Sequence, residues 1–321
     1  MEIVRHSREV RAEIDSLFEG YSYGRYCGDR TLDTAQARRL ERDRALVFLQ
    51  DSGSCSWIAL QGGDPVGMLG LRISGWDTAF WGVKYASIEY VTAAGSDQDR
   101  EQALELLLNE GDAWCRQERV EFCVARVDAR DLKAIHALEH HEFRYVETTV
   151  ENSFDFRRAS PPTCEKGVLR PPMPGEEATL VAATREAFLS HRFYADPAFP
   201  RERVDAMYES WVVNSLRDPN WQTLVLEAER IPRGFLAYRL EDLTPYIGLR
   251  FAKWRIAALA PENRGKGYGE ALFAGALRAL LGTVDVVDSG LTTRNLRSVN
   301  LHSKIGFRTI CCSVTLHRWS L

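Results

Sequence analysis

Short apolar runs bracketed by turn residues are the first pattern in the chain. Ser56-Trp57-Ile58-Ala59-Leu60 and Val66-Gly67-Met68-Leu69-Gly70-Leu71 flank the turn Gly62-Gly63-Asp64 and predict a β-hairpin. Thr223-Leu224-Val225-Leu226 and Gly234-Phe235-Leu236-Ala237-Tyr238, around a turn near Arg230–Pro232, predict another. After each hairpin, apolar residues return at helical period: Leu104, Leu107 and Leu108 in one case. In the other they are Leu272/Phe273, Ala276/Leu277 and Leu280/Leu281. A strand follows each helix, over Val120–Val124 and Val284–Val287. Asp131-Leu132-Lys133-Ala134-Ile135 then leads to Glu142-Phe143-Arg144, as Asn295-Leu296-Arg297-Ser298-Val299 leads to Gly306-Phe307-Arg308. The same markers recur in the same order at nearly the same intervals, which is the signature of a tandem duplication. Each half reads strand, helices, hairpin, strand, helix, strand, helix, strand. The expected class is α+β, with a mixed, mostly antiparallel sheet in each half and helices on both faces.

Proline places the division. Pro161, Pro162, Pro171, Pro172 and Pro174 fall in one short stretch that no helix or central strand can cross. The expected domains are 1–156, a linker at 157–166 and 167–321, with Gly167-Val168-Leu169-Arg170 opening the second half. A length of 321 residues suits two such domains. The formal net charge of −4 gives no broad attraction for nucleic acid or an anionic membrane, so neither is an expected partner. No apolar run approaches a membrane span, and Met1-Glu2-Ile3-Val4-Arg5-His6 lacks the apolar stretch of a signal peptide. The 7 cysteines have neither a CxxC pair nor zinc-site spacing, so reduced thiols in a cytoplasmic protein without a metal are expected.

The candidate chemistry begins at Ile256-Ala257-Ala258-Leu259, where a strand runs into Ala260-Pro261-Glu262-Asn263-Arg264-Gly265-Lys266-Gly267-Tyr268-Gly269 and then a helix. The first N–H groups of a helix have no intrahelical partner and lie at the positive end of its dipole. Without Cβ atoms at 265, 267 and 269, a diphosphate could approach them closely, with Arg264 and Lys266 adding charge. Arg-x-x-Gly-x-Gly has neither the register of a dinucleotide fingerprint nor the Lys-Ser/Thr of a Walker loop. A turn serving only packing is the alternative.

This half resembles the GCN5-related N-acetyltransferase (GNAT) superfamily, through Arg264-x-x-Gly267-x-Gly269, Asn295 and Lys304-Ile305-Gly306-Phe307. The resemblance implies two tandem GNAT-like domains. It also implies acetyl-CoA as co-substrate, with its pyrophosphate in the turn and its pantetheine arm on the N–H groups of Ala257, Ala258 and Leu259. In the first half Asp97-Gln98-Asp99-Arg100-Glu101-Gln102 replaces the glycine turn, so no coenzyme is expected there. Trp76-Asp77-Thr78-Ala79-Phe80-Trp81-Gly82, Ser190-His191-Arg192-Phe193, Tyr208-Glu209-Ser210-Trp211 and Leu316-His317-Arg318-Trp319 are similar to stretches of the dTDP-fucosamine N-acetyltransferase family. That group acts on nucleotide-linked amino sugars. The implied acceptor is therefore a small-molecule amine, a nucleotide sugar first. An aminoglycoside, a polyamine, a protein amine, or a coenzyme-binding regulatory role without turnover are the rivals.

The same resemblance assigns site residues. His302 stands where the family places the Tyr that protonates the departing thiolate. A solvated helical His, or a hydrogen bond to the coenzyme sulfur, are its other readings. Tyr268, inside the turn, is the poorer acid. Asn295 would hold the pantetheine arm, cap its helix, or both. Lys253, Arg255, His191 and Arg192 are candidate cations for a second diphosphate, and Tyr208 a candidate stacking ring, although Tyr208 and Trp211 also fit a helical core stripe. Glu227, Glu241 and Asp288 are the carboxylates from which a general base could come; a plain surface charge is the other reading of each, and a water chain would serve equally well.

Overall fold

A computed structural model describes residues 1–6, 14–27 and 31–320. The contacts divide the chain into two compact units, one of 1–148 with 311–321 and one of 149–310.

The first unit runs β1 (Glu2–Arg5), α1 (Asp15–Gly20), α2 (Thr34–Gln50), β2 (Ser54–Gln61), β3 (Asp64–Ile73), α3 (Gly75–Trp81), β4 (Tyr85–Ala93), α4 (Asp97–Glu118), β5 (Phe122–Asp128) and α5 (Leu132–His140). β6 (Arg144–Asp155) leaves it for the second unit. There follow β7 (Val168–Arg170), α6 (Glu177–Ala183), α7 (Arg192–Ala195), α8 (Arg201–Arg217), β8 (Gln222–Ala228), β9 (Ile231–Asp242), α9 (Thr244–Ile247), β10 (Arg250–Leu259), α10 (Tyr268–Leu280), β11 (Val286–Thr292) and α11 (Leu296–Lys304). Most of β12 (Arg308–Trp319) belongs to the first unit.

Strand order in the first unit is β1-β2-β3-β4-β5-β12, and in the second β7-β8-β9-β10-β11-β6. The two orders are the same in duplicated form, except that each sheet takes its sixth strand from the other half of the chain. β12 pairs antiparallel with β5 through Ser313–Trp319, and β6 with β11 through Thr149–Asp155. Each unit is thus non-contiguous or borrowed at its edge. The prolines fall inside the second unit, between β6 and α6, and not at the division between units.

Both hairpins form where expected, as β2–β3 and β8–β9. Trp76–Gly82 turns out to carry a short helix, α3, started by Ser74, whose side chain accepts from the Asp77 N–H. The helices predicted from periodicity bury their apolar faces: Leu104, Leu107 and Leu108 of α4 pack with Leu69, Leu71 and Phe143. Leu272, Ala276 and Leu277 of α10 pack with Leu236, Trp254, Val287 and Phe307. Truncating a side chain as enclosed as Leu277 would cost about 2–5 kcal/mol. All seven cysteines are free thiols. Among the described residues no helix is long and apolar enough to cross a membrane.

Two features recur in each unit and shape a cleft. β4 has one extra residue against β3, between Ile88 and Tyr90, and β10 has one against β9, Arg255, between Trp254 and Ile256. A parallel pairing follows in each unit: Tyr85–Ile88 with Phe122–Ala125, and Phe251–Trp254 with Val286–Ser289. Both pairings stop at the bulge while the strands run on. Beyond it the two strands of each pair no longer bond, and a V opens between them.

Candidate functional site

In the second unit the open arm of the V is Arg255 to Leu259. Ala257, Ala258 and Leu259 pair with Leu236, Phe235 and Gly234 of β9, which leaves the opposite edge of the strand toward β11 without a parallel partner. Strand backbone presents N–H groups on both edges, so this arm offers donors into the V. After it, Pro261–Asn263 make one tight 3-10 turn and Gly265 and Gly267 take φ of 76° and 82°, the left-handed region that favours glycine. Nothing lies within 4 Å of where a Cβ at Gly265 would stand, and only the Lys166 side chain, at 3.6 Å, comes near that point at Gly267. Gly267 gives α10 no side-chain cap, and the first bond back to it comes from the Ala271 N–H at 3.4 Å. The N–H groups of Tyr268, Gly269 and Glu270 precede that bond and face outward at the positive end of the helix.

The residues proposed for this turn divide by what they touch. Gly265, Lys266 and Gly267 are exposed. Gly269 is a packing position, since a Cβ there would meet Leu301 at 3.2 Å. Arg264, expected to add charge to the anion site, is turned the other way: it donates to the carbonyls of Leu259 (3.1 Å) and Ala183 (3.3 Å) and to that of Arg185. Five N–H donors on a rigid fork suit it to tie three carbonyls, and so it braces the turn. The cation that does reach the turn is Lys166, in the proline-rich segment. Its ammonium donates to the Lys266 carbonyl and lies 4.8 Å from the Tyr268 ring centre, with the Arg233 guanidinium 5.3 Å from the same ring. Tyr268 is held between two cations, a setting for cation–π contact and not for acid catalysis. Spacing gave no signal for Lys166, because it lies 100 positions from its partner in the chain.

His302 is not the expected acid. It is 1% exposed, packed against Trp254, Phe273 and Phe307. Its Nδ1 donates to the Ser298 carbonyl at 2.9 Å and its Nε2 accepts from the Ser289 hydroxyl at 3.0 Å. Burial pushes its imidazole down to about 4, so the ring is neutral at pH 7, with its one N–H held on the Ser298 carbonyl and no extra proton for a thiolate. What the ring does is orient Ser289, the last β11 residue paired with β10, at the apex of the V. Asn295 caps α11, its Oδ1 accepting from the Ser298 N–H at 3.2 Å.

The acceptor candidates are also reassigned. Tyr208 is buried, stacked on Phe188 with centroids 4.4 Å apart, and its hydroxyl meets His191 Nδ1 at 3.0 Å. It packs in the aromatic core of α7 and α8. Arg192 lies over the Phe193 ring at 4.2 Å. Lys253 is ion-paired with Glu241, and Glu227 with Arg170. Arg255, the bulge residue, is exposed beside the V, and Asp288 is 1% exposed on β11.

The first unit has the same V but a filled one. Arg100 of α4 donates to the Ala93 carbonyl at the end of β4 (3.1 Å) and to Asp131, the cap of α5 (2.6 Å), both contacts buried. Tyr23 covers its guanidinium at 5.0 Å and the Tyr21 hydroxyl reaches Asp131 at 3.4 Å. Ser96 caps α4 by accepting from the Asp99 N–H, and Asp97 and Asp99 put negative charge in the first turn. The Asp99 N–H is already capped, and the approach is acidic.

Comparison with known proteins adds the fold's relatives. No protein-family model matches the chain. A spore coat polysaccharide biosynthesis protein, SpsD, of Bacillus subtilis is 23% identical over 208 residues, 64% of this chain and 68% of that one. A mycothiol acetyltransferase of Kineococcus radiotolerans is 29% identical over 144 residues, which are 43% of this chain and 42% of that one. The match therefore spans less than half of the mycothiol enzyme. A tandem GNAT protein from the clavulanic acid biosynthesis pathway superposes with a TM-score of 0.57 at 14% identity, covering 99% of this chain and 98% of that one. The chain has the tandem GNAT fold.

Proposed function

We propose that the protein is an acetyl-CoA-dependent N-acetyltransferase whose coenzyme site lies in the second unit and whose acceptor is a nucleotide-linked amino sugar. The observation that carries the reading is the uncapped start of α10 behind Gly265 and Gly267, next to the opening between β10 and β11. Open space at both glycines and outward N–H groups suit a diphosphate, so the residues present fit the coenzyme. Acetyl-CoA, when bound, supplies the activated acetyl group.

The chain's own groups divide the remaining work. N–H groups of 265–270, with Lys166, hold the diphosphate; Arg264, and Asn263 through its side-chain bond to the Arg233 carbonyl, keep the turn in shape. The β10 edge from Ala257 to Leu259 orients the pantetheine arm and offers donors to the oxygen that gains charge as the amine attacks. Ser289, oriented by neutral His302, lines the apex. No side chain takes the role of acid toward the thiolate, which water can protonate.

An amine acceptor rests on the fold and on the acetyltransferase relative, and a sugar acceptor on the polysaccharide-biosynthesis relative. Location in the cytoplasm is part of the same proposal. The test is thiol release from acetyl-CoA with an acceptor panel, comparing wild type with Gly267→Glu. Release with a dTDP-linked amino sugar, lost in the variant, is expected. Coenzyme binding with no amine acetylated would favour a regulatory module instead.

A further inference from the structure

The first unit brings together two thiols from different elements. α4 ends at Glu118, and Arg119 takes a φ of 54°, the left-handed turn that closes many helices. The Val120 N–H then bonds back to the Cys115 carbonyl at 2.8 Å, which folds the chain under the last turn of the helix and into β5. Cys123, the second residue of β5, packs in the core beneath α4 with Ala86, Leu108 and Cys115. The two thiols lie within hydrogen-bond reach of each other.

Arg318 completes the setting. It belongs to the Leu316-His317-Arg318-Trp319 stretch, which the coenzyme site does not use. It stands opposite Cys123 in the β5–β12 register, so its side chain leaves the sheet on the same face. Its guanidinium donates to the Asp112 carboxylate, to the His141 carbonyl (3.3 Å) and to the Cys115 sulfur, and lies 4.5 Å from the centre of the Phe143 ring. His141 Nδ1 meets the same Asp112 at 2.6 Å. A fixed cation therefore stands beside the thiols.

Both cysteines line a cavity of about 760 Å³, together with Asp112, Arg119, His141 and Arg318. Small-molecule sites have volumes of this order. Cys115 is 6% exposed and Cys123 1%, so a molecule in the cavity meets Cys115 first. The Cys123 S–H and the Arg318 guanidinium outweigh burial and hold the Cys115 thiol below its ordinary value. The bond to Cys115, with burial, pushes Cys123 up. One sulfur is set to ionise, and the second stands behind it.

We propose that Cys115 and Cys123 form a thiol–disulfide exchange site for a small-molecule disulfide, with Cys115 as the attacking sulfur and Cys123 as the resolving one. Every residue it uses belongs to the first unit, so it stands apart from the coenzyme reading. The Cys115 thiolate, its proton given to solvent, forms a bond to one sulfur of the ligand. The ligand's sulfur–sulfur bond breaks with its electron pair on the other half, which leaves and takes up a proton. Cys123 then gives its proton to solvent and attacks the Cys115 sulfur. The mixed disulfide breaks, and the second half leaves as a thiolate that is protonated in turn. Two protein thiols are thereby oxidised by two electrons to a disulfide tying α4 to β5, and the ligand is reduced to two thiols.

The experiment incubates the reduced, folded full chain with bis(2-hydroxyethyl) disulfide, quenches with acid, and maps the cysteines by mass spectrometry of unreduced peptides. Cys55, 8% exposed and with its thiol pushed up by burial, is the internal control. Wild type is expected to yield peptides joined through Cys115 and Cys123. Cys123→Ser should stop at a mixed disulfide on Cys115, formed about tenfold faster than any on Cys55. Cys115→Ser should leave Cys123 free. A wild type whose Cys115 and Cys123 stay free while the partly exposed Cys27, Cys164 and Cys312 react overturns the proposal. Reaction at Cys115 no faster than at Cys55 does the same, as do links with no preference for this pair, which mark reaction through unfolding. Should Cys123→Ser not fold, the wild-type link pattern and the loss of the Cys115 thiol relative to Cys55 decide alone.

Discussion

Acid is the sharpest probe of His302, because a buried neutral ring and a catalytic imidazolium respond to it in opposite ways. In the folded chain the ring ionises near 4, against 6.5 when solvated, because burial penalises the charged form. Between those values the unfolded chain binds a proton that the folded chain refuses. Stability conferred by the neutral ring is thus whole above 6.5 and falls as the pH drops toward 4. At 1.36 kcal/mol per pH unit the interval is worth about 3 kcal/mol, a large share of a typical domain's margin. The perturbation is His302→Gln, which removes the titration. The assay is urea unfolding of wild type and variant from pH 7 to pH 4, following the step in which the second unit unfolds. Other titrations cancel in the difference between the two proteins. Wild type should start the more stable, since the variant loosens contacts to Ser289 and Ser298, and its lead should shrink by about 3 kcal/mol by pH 4. A difference that stays constant would refute the argument, as would a ring proton resonance titrating near 6.5.

Three further outcomes follow from the geometry. Lys166→Ala should weaken coenzyme binding about 3–10-fold, the loss of one exposed charge-assisted contact, and the deficit should vanish at high salt, as measured by calorimetry at two ionic strengths. Arg264→Lys should lower the melting temperature and blunt coenzyme binding together, because a single ammonium cannot tie the carbonyls of Leu259, Ala183 and Arg185. Arg100→Met should destabilise the first unit by about 3–5 kcal/mol, since it strands buried Asp131, without creating a second coenzyme site. Denaturant unfolding and binding stoichiometry check the two halves of that statement.

Much of this molecule was legible in its residues. Both hairpins, both amphipathic helices and the glycine turn announce themselves locally, because each depends on short-range spacing. The bulge recurs in both units and opens a V in each, a feature of strand pairing that no local spacing announced. What escaped is non-local. β6 and β12 have the same pattern whichever sheet they complete, so the exchange of sixth strands leaves no trace in periodicity. Arg264 leaves the role its position suggests and Lys166 reaches the turn instead, because a guanidinium next to a helix start can turn to any carbonyl in reach. His302 sits where the family has an acid, yet Trp254, Phe273 and Phe307, scattered along the chain, decide its charge. Ser74 three residues before Asp77 did carry a helix-start signal for α3, hidden within an aromatic motif.

The central claim is one coenzyme per chain, held by bare backbone at the start of α10. Isothermal titration of acetyl-CoA into the wild type should give a single site, and Gly267→Glu should abolish it while circular dichroism stays unchanged. Two sites per chain, or undiminished binding in the variant, would contradict the account.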